Sequence, residues 1–193
     1  MSDTALLLTD ADAGMELTRD EFGEAEFDPK FRFERVEGRL IVMAPSGLDH
    51  HISAEPIRDA LVAYKLAQPK IVEHVFQESW MVVEDDVDRI ADLAVFLCTT
   101  VPRADFPYWT PDVVFEIVSA GWENRRRDYQ EKRAEYERLG VPEYVIVDKY
   151  DHLVTVLTLT DGRYAERRLG AADSYTSPQL PGLSIPLRGV IGA

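Results

Sequence analysis

Three charged residues in this chain stand where an apolar pattern calls for hydrophobic ones. In "PDVVFEIVS", residues 111–119, Val113, Phe115 and Ile117 fill one face of a strand while Val114 and Val118 flank Glu116 on the other. An ionised carboxylate between two dry faces is costly unless it is paired, hydrogen-bonded or bound to a cation. The same pattern recurs in "RIADLAVFL", where Asp92 shares a face with Ile90, Ala94 and Phe96, opposite Ala91, Leu93, Val95 and Leu97. On the helix expected after Glu116, Tyr129, Tyr136 and Leu139 form an inward stripe that Lys132 interrupts.

Two carboxylates on neighbouring apolar strands cannot both ionise without compensation, and a divalent cation is the usual source of it, so a shared Mg²⁺ is the sharp expectation. The plainer alternatives are structural. Each carboxylate can accept backbone or arginine hydrogen bonds, with Arg89 the candidate for Asp92, and Lys132 can snorkel to solvent, paired with Asp128 one turn back. The Lys132 helix leaves the strand that holds Glu116, however, so an inward lysine reaches the same end of the sheet. Asp92, Glu116 and Lys132 then converge. Such a set suits phosphodiester hydrolysis, in which a metal polarises phosphate and acidifies water while a fixed cation orients the nucleophile and offsets developing charge.

The elements that must position these residues are legible. "FRFERVEGRLIVMAP" predicts two strands around a turn at Glu37-Gly38. "DHHISAEPIRDALVAYKLAQ" predicts a helix with Pro56 in its first turn, and "IVEHVFQESWMVVEDD" one bent strand or two. "TTVPRADFPYWT" reads as a loop, and "ENRRRDYQEKRAEYERLG" as a helix ending at Gly140. "PEYVIVD" is a buried strand, "LVTVLTLTDGRYAERRL" a hairpin turning at Asp161-Gly162, and "SPQLPGLSIPL" irregular. Strands first, a helix between two central strands, then strands again predict an α/β or α+β fold with a mixed sheet.

Composition narrows the function. With 193 residues, 46% hydrophobic and 29% charged, one domain with a real core is expected. Residues 1–28 hold nine acidic residues against Arg19 alone and read as an acidic, flexible arm before a single domain over 29–193. The net charge of −14 argues against simple nucleic-acid coating, although "ENRRRDYQEKRAEYER" and "RYAERR" leave room for a local positive surface. No apolar run approaches the roughly 20 residues that span a bilayer, and the start lacks a basic signal region, so no membrane partner and a cytoplasmic location are expected. Cys98 is the only cysteine, which excludes an internal disulfide. His50, His51, His74 and His152 lack diagnostic metal spacing and read as core or surface residues. Ser119 has no hydrolase-elbow context, and no glycine-rich phosphate loop appears. Trp80, Tyr108, Trp109 and Trp122 are candidates to stack on bases, or else core and loop anchors.

The run "PDVVFEIVS…DYQEKRAEYERLGVPEYVIVD" resembles the Uma-two family of putative restriction endonucleases, within the PD-(D/E)XK nuclease superfamily, over roughly residues 31–187. The resemblance implies a restriction-endonuclease-like mixed β-sheet core flanked by helices, with additional β-hairpins. It implies that Asp92 and Glu116 bind Mg²⁺, or Mn²⁺ in its place, that the backbone carbonyl of Ile117 completes the metal shell, and that Lys132 is the lysine displaced from strand to helix. Pro111-Asp112 is then a decoy, since the family's aspartate matches Asp92 although Ala91 replaces its usual proline. His50 matches a histidine often found before the first long helix. Arg39 and Ala120 depart from the family pattern without touching the proposed site. A nucleic-acid substrate follows, DNA favoured over RNA, with a homodimer through the final hairpin edge as the expected assembly. The rival reading is an inactive nuclease scaffold that binds a protein partner.

Overall fold

A computed structural model describes residues 5–102 and 109–192. In chain order its elements are β1 (Leu7–Leu8), α1 (Arg19–Glu24), β2 (Glu26–Phe27), β3 (Arg32–Val36), β4 (Arg39–Met43) and α2 (Leu48–Ala67). Then come β5 (Val72–Glu84), β6 (Val87–Leu97), β7 (Val113–Ile117), α3 (Trp122–Arg126), a π-helical turn (Arg127–Glu131) and α4 (Lys132–Leu139). The chain finishes with β8 (Glu143–Asp148), β9 (Leu153–Thr160), β10 (Arg163–Leu169), β11 (Ser174–Tyr175), β12 (Ile185–Pro186) and α5 (Arg188–Ile191).

Eight strands form one sheet in the order β10-β9-β8-β7-β6-β3-β4, with β5 paired to β6 off that path. β7 and β8 run parallel, joined by the α3–α4 crossover that a parallel pair requires, and the sheet's other pairs are antiparallel. This is the expected mixed sheet with flanking helices. Its central irregularity is at β6. β5 pairs along the whole length of β6, so β3 and β7 must share the other edge: β3 meets it at Arg35↔Asp88 and β7 at Leu93↔Phe115 through Val95↔Val113. Between these contacts, at residues 89–92, β3 and β7 splay apart and the ladder forks.

Each face of the sheet buries its own core. α2 covers one face, placing Ile57 and Leu61 against Leu93, Val95, Phe115 and Ile117. α4 covers the other, placing Tyr136 against Ala94, Val114, Val118, Tyr144 and Ile146. The ending that reads as irregular is nonetheless core, since Leu180, Leu183, Ile185 and Leu187 join the first cluster. Both predicted turns are present, with left-handed φ at Glu37 and Gly38 and at Asp161 and Gly162, the pattern that joins twisted strands tightly. β10 ends the sheet and offers the hairpin edge expected to pair between chains.

Two expectations need correction. The acidic arm is not a loose appendage: Leu8, Leu17 and Phe22 pack with Phe33 and Leu40, Phe22 stacks on Trp80 at 5.4 Å, and Thr18 caps α1 in a box with Glu21. Charge counting hides these few apolar anchors among many exposed carboxylates. Pro56 is not in a first turn, because α2 begins at Leu48; the carbonyl that Pro56 leaves free belongs to Ile52, an exposed residue. Trp80 is packed between aromatic rings and is no base-stacking surface. Tyr108, and the loop over 103–108, lie outside the described residues. β5 is one strand, with Glu78 at φ 50° opposite the fork.

Candidate active site

A forked ladder leaves backbone groups without strand partners, and buried backbone groups must find others. The side chains singled out in the sequence supply them. Ile90 N–H donates to Glu34 Oε1 at 3.0 Å, and Ile90 O accepts from Lys132 Nζ at 3.0 Å. On the facing strand Ile117 N–H donates to Asp92 Oδ2 at 2.8 Å. Continuing the register past Leu93↔Phe115 sets Asp92 opposite Glu116. Lys132 Nζ also donates to Glu116 Oε1 at 2.8 Å, as does the Tyr136 hydroxyl at 3.0 Å. Asp92, Glu116 and Lys132, all nearly inaccessible, therefore meet at the fork as the sequence predicts. The Ile117 contact seen here is through its N–H.

Asp128, Lys132, Glu135 and Tyr136 stand at i, i+4, i+7 and i+8, one inward helical stripe, and a π-turn over residues 127–131 leads into α4. Lys132 does not snorkel to solvent, and its partner is Glu116 rather than Asp128. Asp128 instead lies beside Arg127 at 3.4 Å.

Arg89 is not the partner of Asp92. Its guanidinium bonds Glu34 at 2.9 Å and Glu135 at 2.7 and 2.8 Å, all three side chains buried. Asp92 is served by His50 Nε2 at 2.9 Å and by Arg32 at 3.3 Å. His50 is thus a site residue that metal-ligand spacing misses, because it arrives from the start of α2, forty-two residues away. Glu34 and Arg32 are missed too. In sequence they look like ordinary charges on a hairpin, and only the pairing of β3 with β6 brings them in. The Asp112 carboxylate, by contrast, accepts from Leu97 N–H at the end of β6 and from Thr100 just beyond it.

Charges at the fork are unevenly compensated. For Asp92, burial alone would raise the carboxyl pKa, but the His50 hydrogen bond and charge, Lys132 and Arg32 more than reverse this and hold it well below the usual range. Glu116 goes the other way: burial raises it, the charges of Asp92 and Asp128 add to this, and Lys132 only partly opposes. Burial likewise works against Glu34, yet Lys132, Arg89 and the Ile90 N–H pull it down to about 2. That last shift has a sign that can be checked. A carboxyl lowered on folding stabilises the protein above its unfolded pKa and loses that contribution as pH falls through about 4.5 towards 2. Glu34→Gln is expected to cost about 3 kcal/mol at pH 7, with the gap to wild type closing towards pH 2 in urea melts. A gap independent of pH would show that the Glu34 charge is not what matters.

A family model described as "Putative restriction endonuclease", Uma2, matches residues 19–188. The chain belongs to the Uma2 family. Among solved structures, one described as a putative nuclease belonging to DUF820 from Anabaena variabilis superposes on the Uma2 chain with a TM-score of 0.71 at 17% identity, covering 91% of this chain and 97% of that one. No curated protein matches. The Uma2 chain thus has a nuclease-like fold, and restriction-endonuclease-like proteins generally use divalent metals.

The residues fit such an ion. Asp92 and Glu116 are hard oxygen donors at facing positions of β6 and β7, and a cation between them would offset the burial and the mutual repulsion that raise the Glu116 carboxyl. Among the described residues no three His, Cys, Asp or Glu side chains form a ready-made metal cluster, so backbone or solvent oxygen would have to complete the shell. Among the described helices none is long and apolar enough to cross a membrane.

Proposed function

We propose that this Uma2 protein is a Mg²⁺-dependent endonuclease, with Mn²⁺ able to substitute, hydrolysing nucleic-acid phosphodiester bonds through Asp92, Glu116 and Lys132. The observation that carries this reading is the meeting of the three at the sheet fork, with Lys132 Nζ 2.8 Å from Glu116. The family description supports a nucleic-acid substrate, and DNA rather than RNA is the substrate proposed.

In this reading Asp92, Glu116 and the Ile117 carbonyl hold the ion, which supplies phosphate polarisation and a more acidic water. Lys132 remains protonated: burial opposes its charge, but Glu116, Glu34 and Asp128 favour it and raise its pKa. Its ammonium orients the attacking water and offsets charge gathering on the phosphate oxygens. Tyr136 fixes the Glu116 carboxyl by donating to the same Oε1 that Lys132 holds, and His50 fixes Asp92. The water's oxygen bonds to phosphorus and gives up one proton to solvent as the ester P–O bond breaks, and the leaving oxygen takes a proton from solvent in return.

Titrating Mg²⁺ or Mn²⁺ during thermal melts tests the metal site, with cleavage of labelled DNA and RNA followed in parallel. At about a hundredfold excess over Kd the ion stabilises the native state by about 2.7 kcal/mol, raising Tm by roughly 5–10 °C. Asp92→Ala is expected to lose both the shift and the cleavage. Identical metal responses in the two proteins would reject the shared site.

A further inference from the structure

Beside the fork lies a cleft of about 670 Å³ whose wall includes Arg32, Ser46, Ser119, Arg126 and Arg127. A second cleft of about 550 Å³, lined by Arg125, Tyr129 and Arg168 among others, lies on the far side of α3. Trp122 and Arg126 border both. Trp122 opens α3 immediately after Gly121, whose φ of 105° turns the chain out of β7, and its indole is 68% exposed. The other tryptophans are placed differently: Trp80 is packed among Phe22 and Phe27, and Trp109 is partly buried against Phe96.

The two clefts gather five arginines, Arg32, Arg125, Arg126, Arg127 and Arg168, in a protein of net charge −14. Each is ion-paired, with Asp92, Asp148 and Asp151, Glu131, Asp128 and Glu166 respectively, and a phosphate would take its guanidinium contacts by displacing the more exposed of these partners, Asp151, Glu131 and Glu166. Arg32 spans from this lining to the fork, bonding Ser46 at 2.9 Å and Asp92 at 3.3 Å. A path of guanidinium groups therefore runs past an exposed indole to the carboxylates.

We infer that the clefts hold an unpaired strand, with Trp122 stacking on a base beside the phosphate to be cut; this rests on the nuclease reading above and specifies its substrate. In a duplex the base faces are hidden and only edges reach the grooves, so a stacking indole has a partner only in a single strand or a displaced base. Charge points the same way. Duplex DNA carries one phosphate charge per about 1.7 Å of axis, and a broad acidic surface repels it, whereas a threaded strand exposes its few contacting phosphates only to the arginine-lined clefts.

The test is binding of fluorescein-labelled 12-nucleotide single strands, DNA and RNA, and of the matching DNA duplex, by anisotropy in EDTA with the full chain. Cleavage of the same substrates with Mg²⁺ or Mn²⁺ runs in parallel. Wild type is expected to bind single strands at least tenfold tighter than duplex. Trp122→Ala should weaken single-strand binding about tenfold, leave duplex binding and the thermal midpoint unchanged, and be largely rescued by Trp122→Phe. The DNA and RNA arms show which strand chemistry the clefts prefer. Duplex bound as tightly as single strand, single-strand affinity untouched by Trp122→Ala, or cleavage confined to duplex would each overturn the inference while leaving the nuclease reading in place. Wild type that neither binds nor cleaves any of the three would overturn both.

Discussion

Lys132→Met is expected to lower cleavage by on the order of 10²–10³-fold while the protein stays folded. The methionine keeps the buried apolar stem but removes the ammonium between Glu116 and Ile90 O. Two consequences separate catalysis from stability. The Ile90 carbonyl loses its lysine donor, which costs about 1–3 kcal/mol. Glu116, already raised by burial and by Asp92, takes a proton more readily and so avoids standing as a bare buried charge. A urea melt should therefore show a modest loss beside a far larger loss of rate. Retained cleavage in a well-folded Lys132→Met protein would remove Lys132 from the mechanism. An inactive wild type, with metal and substrate present, would favour the scaffold reading instead.

The legible part of the site was the part written as contradiction. A charge inside an apolar strand has to be explained locally, so Asp92 and Glu116 stand out from period-two alternation, and Lys132 from a helical stripe. Glu34, Arg32, His50 and Arg89 make no such contradiction. Each lies in a segment that tolerates charge, and its role arises only from long-range pairing at the fork, fifty-five residues apart in sequence for Glu34 and Arg89. The order of strands is hidden for the same reason: no local pattern says that β3 and β7 share one edge of β6. The π-turn is likewise invisible to a helical template. In the first 28 residues the error was compositional, since three buried apolar side chains do not register against nine acidic ones.

Arg89→Met is expected to be the most destabilising of these changes, by about 3–5 kcal/mol, or roughly 10 °C or more in Tm. The cost does not measure what the ion cluster adds to stability. It arises because Glu34 and Glu135, both buried, are left without the guanidinium that bonds each of them. Combining it with Glu135→Leu and Glu34→Gln, the latter keeping an acceptor for Ile90 N–H, should recover most of the loss, because the uncompensated charges are then gone. Activity should follow Glu34 rather than overall stability. Glu34 already lies 3.5 Å from Lys132, and while Arg89 holds it the lysine stays on Glu116. Without Arg89 the freed Glu34 competes for the ammonium and draws it off the fork, lowering cleavage by on the order of tenfold to a hundredfold although Arg89 touches none of the three fork residues. The kinetic loss in the single variant should therefore reverse when Glu34→Gln alone is added, even though stability then recovers only in part. If Arg89→Met stays within about 1 kcal/mol of wild type, or if Glu34→Gln fails to return the lost rate, the cluster is a passive filler and Lys132 is positioned by β6 and β7 alone.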